Sequence, residues 1–161
     1  MSCRGTLPGI ALFGALFGTL LSSLLSVPIH AQDASVQSPL VALPDAVHRL
    51  PEWSEAELAQ AISVRPLNRS AFASTHLIRL QGREQPHFHD QHDLAITLLH
   101  GKSVLHFAER DVALHAGDTA FIPRGTYHWA ENTDVGASVV FAVFAPPFDG
   151  MDRRPAVAST P

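Results

Sequence analysis

Short apolar segments separated by turn residues run from about residue 64 to residue 145. The segments are rich in Val, Ile, Leu, Phe and Thr, and the turns between them are rich in Gly, Pro and Asp, which is typical of β-strands. Because no helical pattern interrupts them, successive strands are expected to pair antiparallel in a β-sandwich or barrel. The pattern therefore predicts an all-β fold, with strands at residues 71–80, 94–99, 103–107, 112–114, 119–122, 127–131 and 137–145.

Three histidines stand where such strands would bring them together. His87 and His89 are two residues apart, so on a strand both imidazoles project from one face. His128 follows a Pro123-x-Gly125 turn, which can bring a later strand back beside the first. Three imidazoles and the nearby carboxylate of Asp93 would form a site for a divalent transition metal if they converge in one β pocket.

These stretches resemble the two consensus motifs of the cupin superfamily. The first, from Gly82 to Gly101, keeps the histidine pair of G-x5-H-x-H-x3,4-E-x6-G. Its opening spacing is one residue short, its closing spacing is one residue long, and Asp93 stands in place of Glu. The second motif, G-x5-P-x-G-x2-H-x3-N, is matched at every fixed position by Gly117, Pro123, Gly125, His128 and Asn132.

The resemblance implies a small single-domain cupin, a jelly-roll barrel or β-sandwich, with His87, His89 and His128 as metal ligands. Asp93 is the expected fourth ligand, although its side chain is one methylene shorter than that of Glu. If Asp93 does not bind the metal, water or His92 would take its place. A site of this composition favours Fe, Mn or Ni, with Zn possible, over Cu(I), which prefers sulfur ligands.

A short helix is predicted before the strands. Ser54 and Glu57 form a capping box, in which each residue satisfies a backbone N–H near the other. Leu58, Ala61 and Ile62 then give an apolar stripe at helical spacing. We expect this helix to pack on the outside of the barrel.

The N-terminal segment has the features of a signal peptide. Arg4 precedes an apolar run from residue 7 to about residue 27, and the small residue Ala31 suits cleavage, giving a signal peptide of residues 1–31. The protein would then be exported to the periplasm or secreted, without stable membrane association. The alternative is an uncleaved membrane anchor, because the apolar run approaches spanning length.

The remaining chain divides into a flexible leader at 32–46, a cupin domain at 47–150 and a disordered tail at 151–161. After cleavage it would hold no cysteine, since Cys3 is the only one, so disulfides and thiolate nucleophiles are excluded. The formal net charge of −4, without basic clusters, argues against binding of nucleic acid.

Several other side chains have two possible roles. His76 is expected to be a buried core histidine or, as a minority alternative, an acid or base of the pocket. Arg124, in the Pro-x-Gly turn, is either solvated or placed to attract an anionic substrate. Phe88, Tyr127 and Trp129 should point away from the pocket, where they offer apolar area for a homodimer.

These observations predict a small metalloenzyme that acts on a small organic molecule, with dioxygenase-type chemistry favoured. No pocket carboxylate beyond Asp93 is apparent, which weakens isomerase and lyase readings. The alternatives are a ligand-binding or sensor protein without turnover and a structural cupin of the cell envelope. The substrate is not identified, because a fold of this kind supports many reactions.

Overall fold

The structure, a computed structural model, describes residues 38–50 and 52–156. The predicted signal peptide, its cleavage site and the first part of the leader lie outside these ranges. Within them, no helix is long and apolar enough to cross a membrane.

The regular secondary structure of the described chain is almost entirely strand, as predicted, with one helical turn. The helix is α1 (Glu55–Leu58). The strands are β1 (Leu40–Ala42), β2 (Val47–Arg49), β3 (Ile62–Arg69), β4 (Ser74–Leu80), β5 (His87–Phe88), β6 (Asp93–His100), β7 (Lys102–Phe107), β8 (Asp111–His115), β9 (Thr119–Ile122), β10 (His128–Asn132), β11 (Ser138–Ala145) and β12 (Arg154–Pro155).

Two five-stranded antiparallel sheets form the body of the fold. One has the order β12-β5-β10-β7-β8 and the other the order β3-β4-β11-β6-β9, while β1 and β2 form a separate pair. The main core combines Leu94, Leu98 and Phe144 of the second sheet with Leu105 and Leu114 of the first. Since both sheets contribute to one apolar cluster, they pack face to face, and the predicted β-sandwich is confirmed.

All seven predicted strands are present, with bounds shifted by a few residues. A further strand, β3, was not predicted, and it begins where the sequence pattern predicted the end of the helix. Ile62, the last residue of the predicted helical stripe, begins β3 instead. β3 is an edge strand with an irregularity between Pro66 and Asn68. Edge strands tolerate Pro and an exposed polar face, so their sequence carries a weak strand signal.

The predicted capping box is confirmed, although α1 is only one turn long. The Ser54 side chain accepts from the Glu57 N–H, and the Glu57 carboxylate accepts from the Ser54 N–H. The same carboxylate receives the Arg65 guanidinium through Nε at 2.8 Å and Nη2 at 2.6 Å. The cap therefore also ties α1 to β3.

Both ends of the described chain are more ordered than the sequence pattern suggested. β1 lies inside the predicted leader and pairs with β2. At the other end, Asp152 is buried and β12 pairs with β5, although residues 151–161 were predicted to be disordered. The C-terminal segment is ordered because Asp152 accepts hydrogen bonds from the loop after β5, through both its backbone carbonyl and its side chain.

Candidate metal centre

The three motif histidines meet at one end of the first sheet. β5 and β10 pair antiparallel with His128 directly opposite His87. His89 lies just beyond β5, and strand alternation returns its side chain to the face of His87. All three residues are buried, and one ring nitrogen of each lies within 4.8 Å of the others. The cluster of His87, His89 and His128 could hold a metal ion, and we call it the three-His cluster.

Each ring of the cluster is oriented by a backbone carbonyl bonded to Nδ1. A carbonyl only accepts hydrogen bonds, so each Nδ1 carries the proton and each Nε2 keeps its lone pair. This is the tautomer that a metal ligand needs when it binds through Nε2. The bonds run from His87 to Gln85 at 2.8 Å, from His128 to Thr126 at 2.9 Å, and from His89 to Asp152.

The cluster resists protonation. Burial, together with the neighbouring His128 imidazole, lowers the pKa of His87 to about 3. Burial also lowers the pKa of His128, to about 4, and it lowers the pKa of His89 as well. The three rings are therefore neutral at neutral pH, and their lone pairs are available to a metal.

The cluster opens on a small cavity of about 70 Å3. That volume holds about two water molecules. Besides the three histidines, its lining is apolar except for one carboxyl group, that of Glu84. The other lining residues are Ile78, Leu80, Leu94, Ile96, Leu105, Ile122, Ala130, Val140 and Phe144.

Glu84 is the pocket residue that the sequence analysis missed. Its Oε2 accepts the Ala130 N–H at 3.1 Å, and its own N–H donates to the Ala130 carbonyl at 2.9 Å. Burial raises the pKa of Glu84, against the lowering effects of Arg153 and the Ala130 N–H. If residues 84–87 formed one strand, alternation would point Glu84 away from the face of His87. Residues 84–86 are not part of a strand, so the alternation does not apply to them.

Asp93, the expected fourth ligand, is not part of the cluster. Its Oδ1 accepts the Arg124 backbone N–H at 3.0 Å, and its Oδ2 accepts Nη2 of the same arginine at 2.8 Å. These bonds hold the pKa of Asp93 down, to about 2. Alternation along β6 explains the placement, because the next residue, Leu94, faces the cavity. Arg124 keeps 53% of its side chain exposed, as expected for a solvated turn residue, and its charge is paired with Asp93.

His92, the alternative fourth ligand, supports the cluster from outside. It is buried, and its Nδ1 lies 2.6 Å from Oδ2 of Asp152. The Asp152 carboxylate also accepts the backbone N–H groups of Asp90 and Gln91. Although burial alone would raise the pKa of Asp152, these hydrogen bonds hold it below its usual value. Asp152 therefore fastens the loop that carries His89 to the C-terminal segment.

An aromatic pair covers the side of the cluster next to this loop. Phe144 and Phe148 stack with ring centroids 4.5 Å apart. The His89 ring meets both rings edge-on, at 5.4 Å and 5.5 Å. Phe144 is a buried core residue, and His76 meets the same pair edge-on.

Comparison with known protein families agrees with this geometry. The family described as Cupin_2, the cupin domain, matches residues 76–144, which include the whole three-His cluster. An uncharacterized protein from Aquifex aeolicus is 40% identical over 93 residues, which are 58% of this chain and 76% of that protein.

Solved structures show the same fold at low identity. KdgF from Halomonas sp. has a TM-score of 0.52 and 22% identity, covering 56% of this chain and 85% of that one. TT1209 from Thermus thermophilus has a TM-score of 0.50 and 24% identity, covering 60% of this chain and 97% of that one. Streptomyces PAC13 with uridine has a TM-score of 0.52 and 15% identity, covering 76% of this chain and 87% of that one.

Proposed function

Since the chain belongs to the cupin superfamily, we propose that it is a metal-dependent enzyme acting on a small organic molecule. The observation that carries the proposal is the orientation of the three-His cluster. Three neutral imidazoles have their Nδ1 atoms engaged by carbonyls, which leaves three Nε2 lone pairs for one metal ion. The side chains that complete the cavity are one carboxyl group and apolar groups.

The donor set fits a divalent transition metal. Imidazole suits Fe, Mn, Ni and Zn, and the absence of sulfur among these three ligands disfavours Cu(I). Three neutral ligands leave the charge of the metal uncompensated, so an anionic oxygen group is the favoured exogenous ligand. When bound, the metal would supply Lewis-acid polarisation of that oxygen.

Glu84 is the proposed acid or base. Its carboxyl group lines the same cavity as the cluster, and its raised pKa brings proton exchange closer to neutral pH. The hydrogen bond from Ala130 fixes Oε2, and Oε1 lies 3.9 Å from Nη2 of Arg153, so we assign the proton exchange with the substrate to Oε1. This arrangement supports isomerisation or elimination of a small oxygen-bearing molecule, the reactions that sequence reasoning had considered weakened.

The size of the cavity limits what can enter it. Ligand sites for whole small molecules are several times larger than 70 Å3. We therefore propose that only the reacting end of the substrate reaches the cluster. The apolar lining would exclude bulk water from that end.

Dioxygenase chemistry is the second candidate. The three histidines would hold the metal, and a redox-active metal there would supply activation of O2 close to the substrate. The apolar walls also suit O2. This candidate rests on the three histidines alone, because Asp93 is engaged by Arg124.

Metal analysis tests the ligand assignment. Untagged protein is stripped with a chelator and reloaded with Fe, Mn, Ni or Zn. We expect one metal per chain in the native protein and none in His87→Ala or His128→Ala. The exposed His100→Ala is the matched control and should keep full occupancy. Full occupancy in both His87→Ala and His128→Ala would contradict the assignment.

The reaction type is tested on the reloaded protein with a panel of hydroxy acids, enediols and catechols. Turnover without oxygen supports the Glu84 reaction, whereas oxygen consumption supports dioxygenation. Tight binding of an unchanged ligand in both atmospheres would favour the alternative of a non-catalytic binding or sensor protein.

Export and homodimerisation are also proposals. Phe88 and Tyr127 contact each other with ring centroids 5.6 Å apart. Trp129 stacks on His106 at 3.7 Å. Neither pair lines the metal cavity. Light scattering that shows only monomer would count against a dimer built on these aromatic groups.

A further inference from the structure

A second concave surface, which we call the β3–β4 groove, lies outside the metal cavity. It is an open groove with a volume of about 260 Å3, lined by residues 66–69 of β3, Ser74 and His76 of β4, and Phe148. Among the described residues, none lines both the groove and the metal cavity. Its walls combine apolar groups with hydrogen-bond donors that a polar ligand could satisfy.

His76 has a ring nitrogen without a partner. The residue is buried, and its Nε2 lies 2.9 Å from the Ser74 hydroxyl, but Nδ1 is buried without a hydrogen-bond partner within the described part of the chain. The Ser74 oxygen already accepts the Phe148 N–H at 2.9 Å, which leaves its own hydrogen free for Nε2. That assignment satisfies Ser74 and places the His76 proton on Nδ1. A buried N–H without an acceptor costs about 1–3 kcal/mol, so an acceptor there would be stabilising.

Arg69, on the same groove, is a cation without an acidic partner. Its Nη1 donates to the Phe148 carbonyl at 2.7 Å and its Nη2 lies 3.5 Å from the Pro147 carbonyl. Across residues 38–50 and 52–156, no carboxylate lies within ion-pairing distance of Arg69, whereas several other arginines of the chain are paired. These are Arg65 with Glu57, Arg124 with Asp93, and Arg154 with Asp90.

We propose that the β3–β4 groove binds the carboxylate group of a small organic acid. Arg69 supplies the positive charge and His76 the buried N–H donor. Burial lowers the pKa of His76, and the positive charge of Arg69 lowers it further. The His76 ring therefore contributes a neutral donor rather than a second cation. One cation beside walls formed by Pro66, Leu67 and Phe148 suits an organic monoanion better than a phosphate dianion.

The position of the groove also indicates the class of substrate, an inference that rests on the proposed function. The Phe148 ring centroid lies 6.2 Å from that of His76 and 5.5 Å from that of His89. Phe148 thus contacts a residue of the groove, His76, and a residue of the three-His cluster, His89. A substrate with a carboxylate in the groove would extend an oxygen-bearing end past Phe148 to the cluster. This explains how a cavity of about 70 Å3 serves a larger molecule.

The binding step is tested without metal. Protein with 15N-labelled histidine is stripped with a chelator and titrated with acetate and succinate by NMR. We expect saturable binding that shifts the Nδ1 resonance of His76. Arg69→Gln should weaken acetate binding by about 10-fold or more, the factor for losing one charged hydrogen bond. Arg69→Lys should restore part of it, and Arg49→Gln, at an exposed arginine of β2, should leave it unchanged.

The outcomes separate this proposal from the proposed function. Acetate binding in stripped protein that depends on Arg69 supports the groove even if no turnover is ever found. Binding that appears only after metal is restored, or that is equal in Arg69→Gln, would overturn the groove, because the carboxylate would then bind elsewhere. Sulfate or phosphate competing as tightly as acetate would overturn the carboxylate assignment. Once a carboxylate substrate is found, Arg69→Gln should raise its KM and leave kcat nearly unchanged.

Discussion

Removing one imidazole from the three-His cluster should weaken the acid sensitivity of the metal-free protein. His128 is 2% exposed, and its pKa is lowered to about 4 in the folded chain, against about 6.5 in an unfolded one. A group whose pKa is lower in the folded state contributes stability above its unfolded pKa. That contribution is lost as the pH falls from about 6.5 towards about 4.

The magnitude follows from proton uptake by the unfolded chain. Between about pH 7.5 and about pH 5 an unfolded histidine becomes almost fully protonated, whereas folded His128 stays almost neutral, which amounts to about 2 kcal/mol. The free energy of unfolding of chelator-treated protein, measured in urea at both pH values, should therefore fall by about 2 kcal/mol more in the native protein than in His128→Gln.

Each protein is compared with itself at the two pH values, so a general loss of stability in the variant does not affect the result. His100→Gln, at an exposed position, is the control and should behave like the native protein. Equal pH dependence in the native protein and His128→Gln would refute the reasoning, because it would mean that His128 is protonated as easily in the folded chain as in the unfolded one. Metal should stabilise the native protein at neutral pH, because it binds the folded cluster and competes with protons there.

Three further predictions concern the site, and a fourth concerns the N-terminus. Asp152→Asn should weaken metal affinity by about 10-fold to 100-fold by loosening the loop of His89, measured by competition with a metal indicator, whereas Asp149→Asn should not. Glu84→Gln keeps an oxygen for the Ala130 N–H, so it should retain metal but lower turnover by about 100-fold or more; unchanged turnover would remove Glu84 from the mechanism. Asp93→Asn should keep full metal occupancy by elemental analysis, and a loss of metal would restore Asp93 as a ligand. N-terminal sequencing of exported protein should begin at or near Gln32, and a longer membrane-bound form would support the anchor.

The positions of the strands, and the strand face shared by His87 and His89, could be predicted because both depend on the local sequence pattern. Alternation of apolar residues reports which face of a strand is buried, and turn residues report where the strand ends. At Gly101 the turn has φ 82°, and a Cβ there would approach Ser138 Cα at 3.1 Å, so the residue type itself marks the turn. The spacing of His87 and His89 likewise indicated one shared face before any partner strand was known.

The partners of individual polar side chains could not be predicted in this way, because they depend on segments that are distant in sequence. Asp152 lies 60 residues after His92 and looked like part of a disordered tail, yet it fastens the loop beside the cluster. Glu84 reaches the cavity because residues 84–86 leave strand geometry, which breaks the parity count from His87. The Asp93 side chain points away from the cavity because its neighbour on β6, Leu94, faces the cavity instead. Arg124 lies where it can pair with the Asp93 carboxylate.

The amino-acid sequence by itself therefore determined the all-β architecture and the three histidines of the candidate metal site, since each follows from period-two alternation and turn chemistry within a short window. Only the tertiary structure decided which carboxyl group shares the cavity with them. A carboxylate takes the position where its charge is best paired or its hydrogen bonds are satisfied, and those partners are brought together by the packing of the whole sandwich.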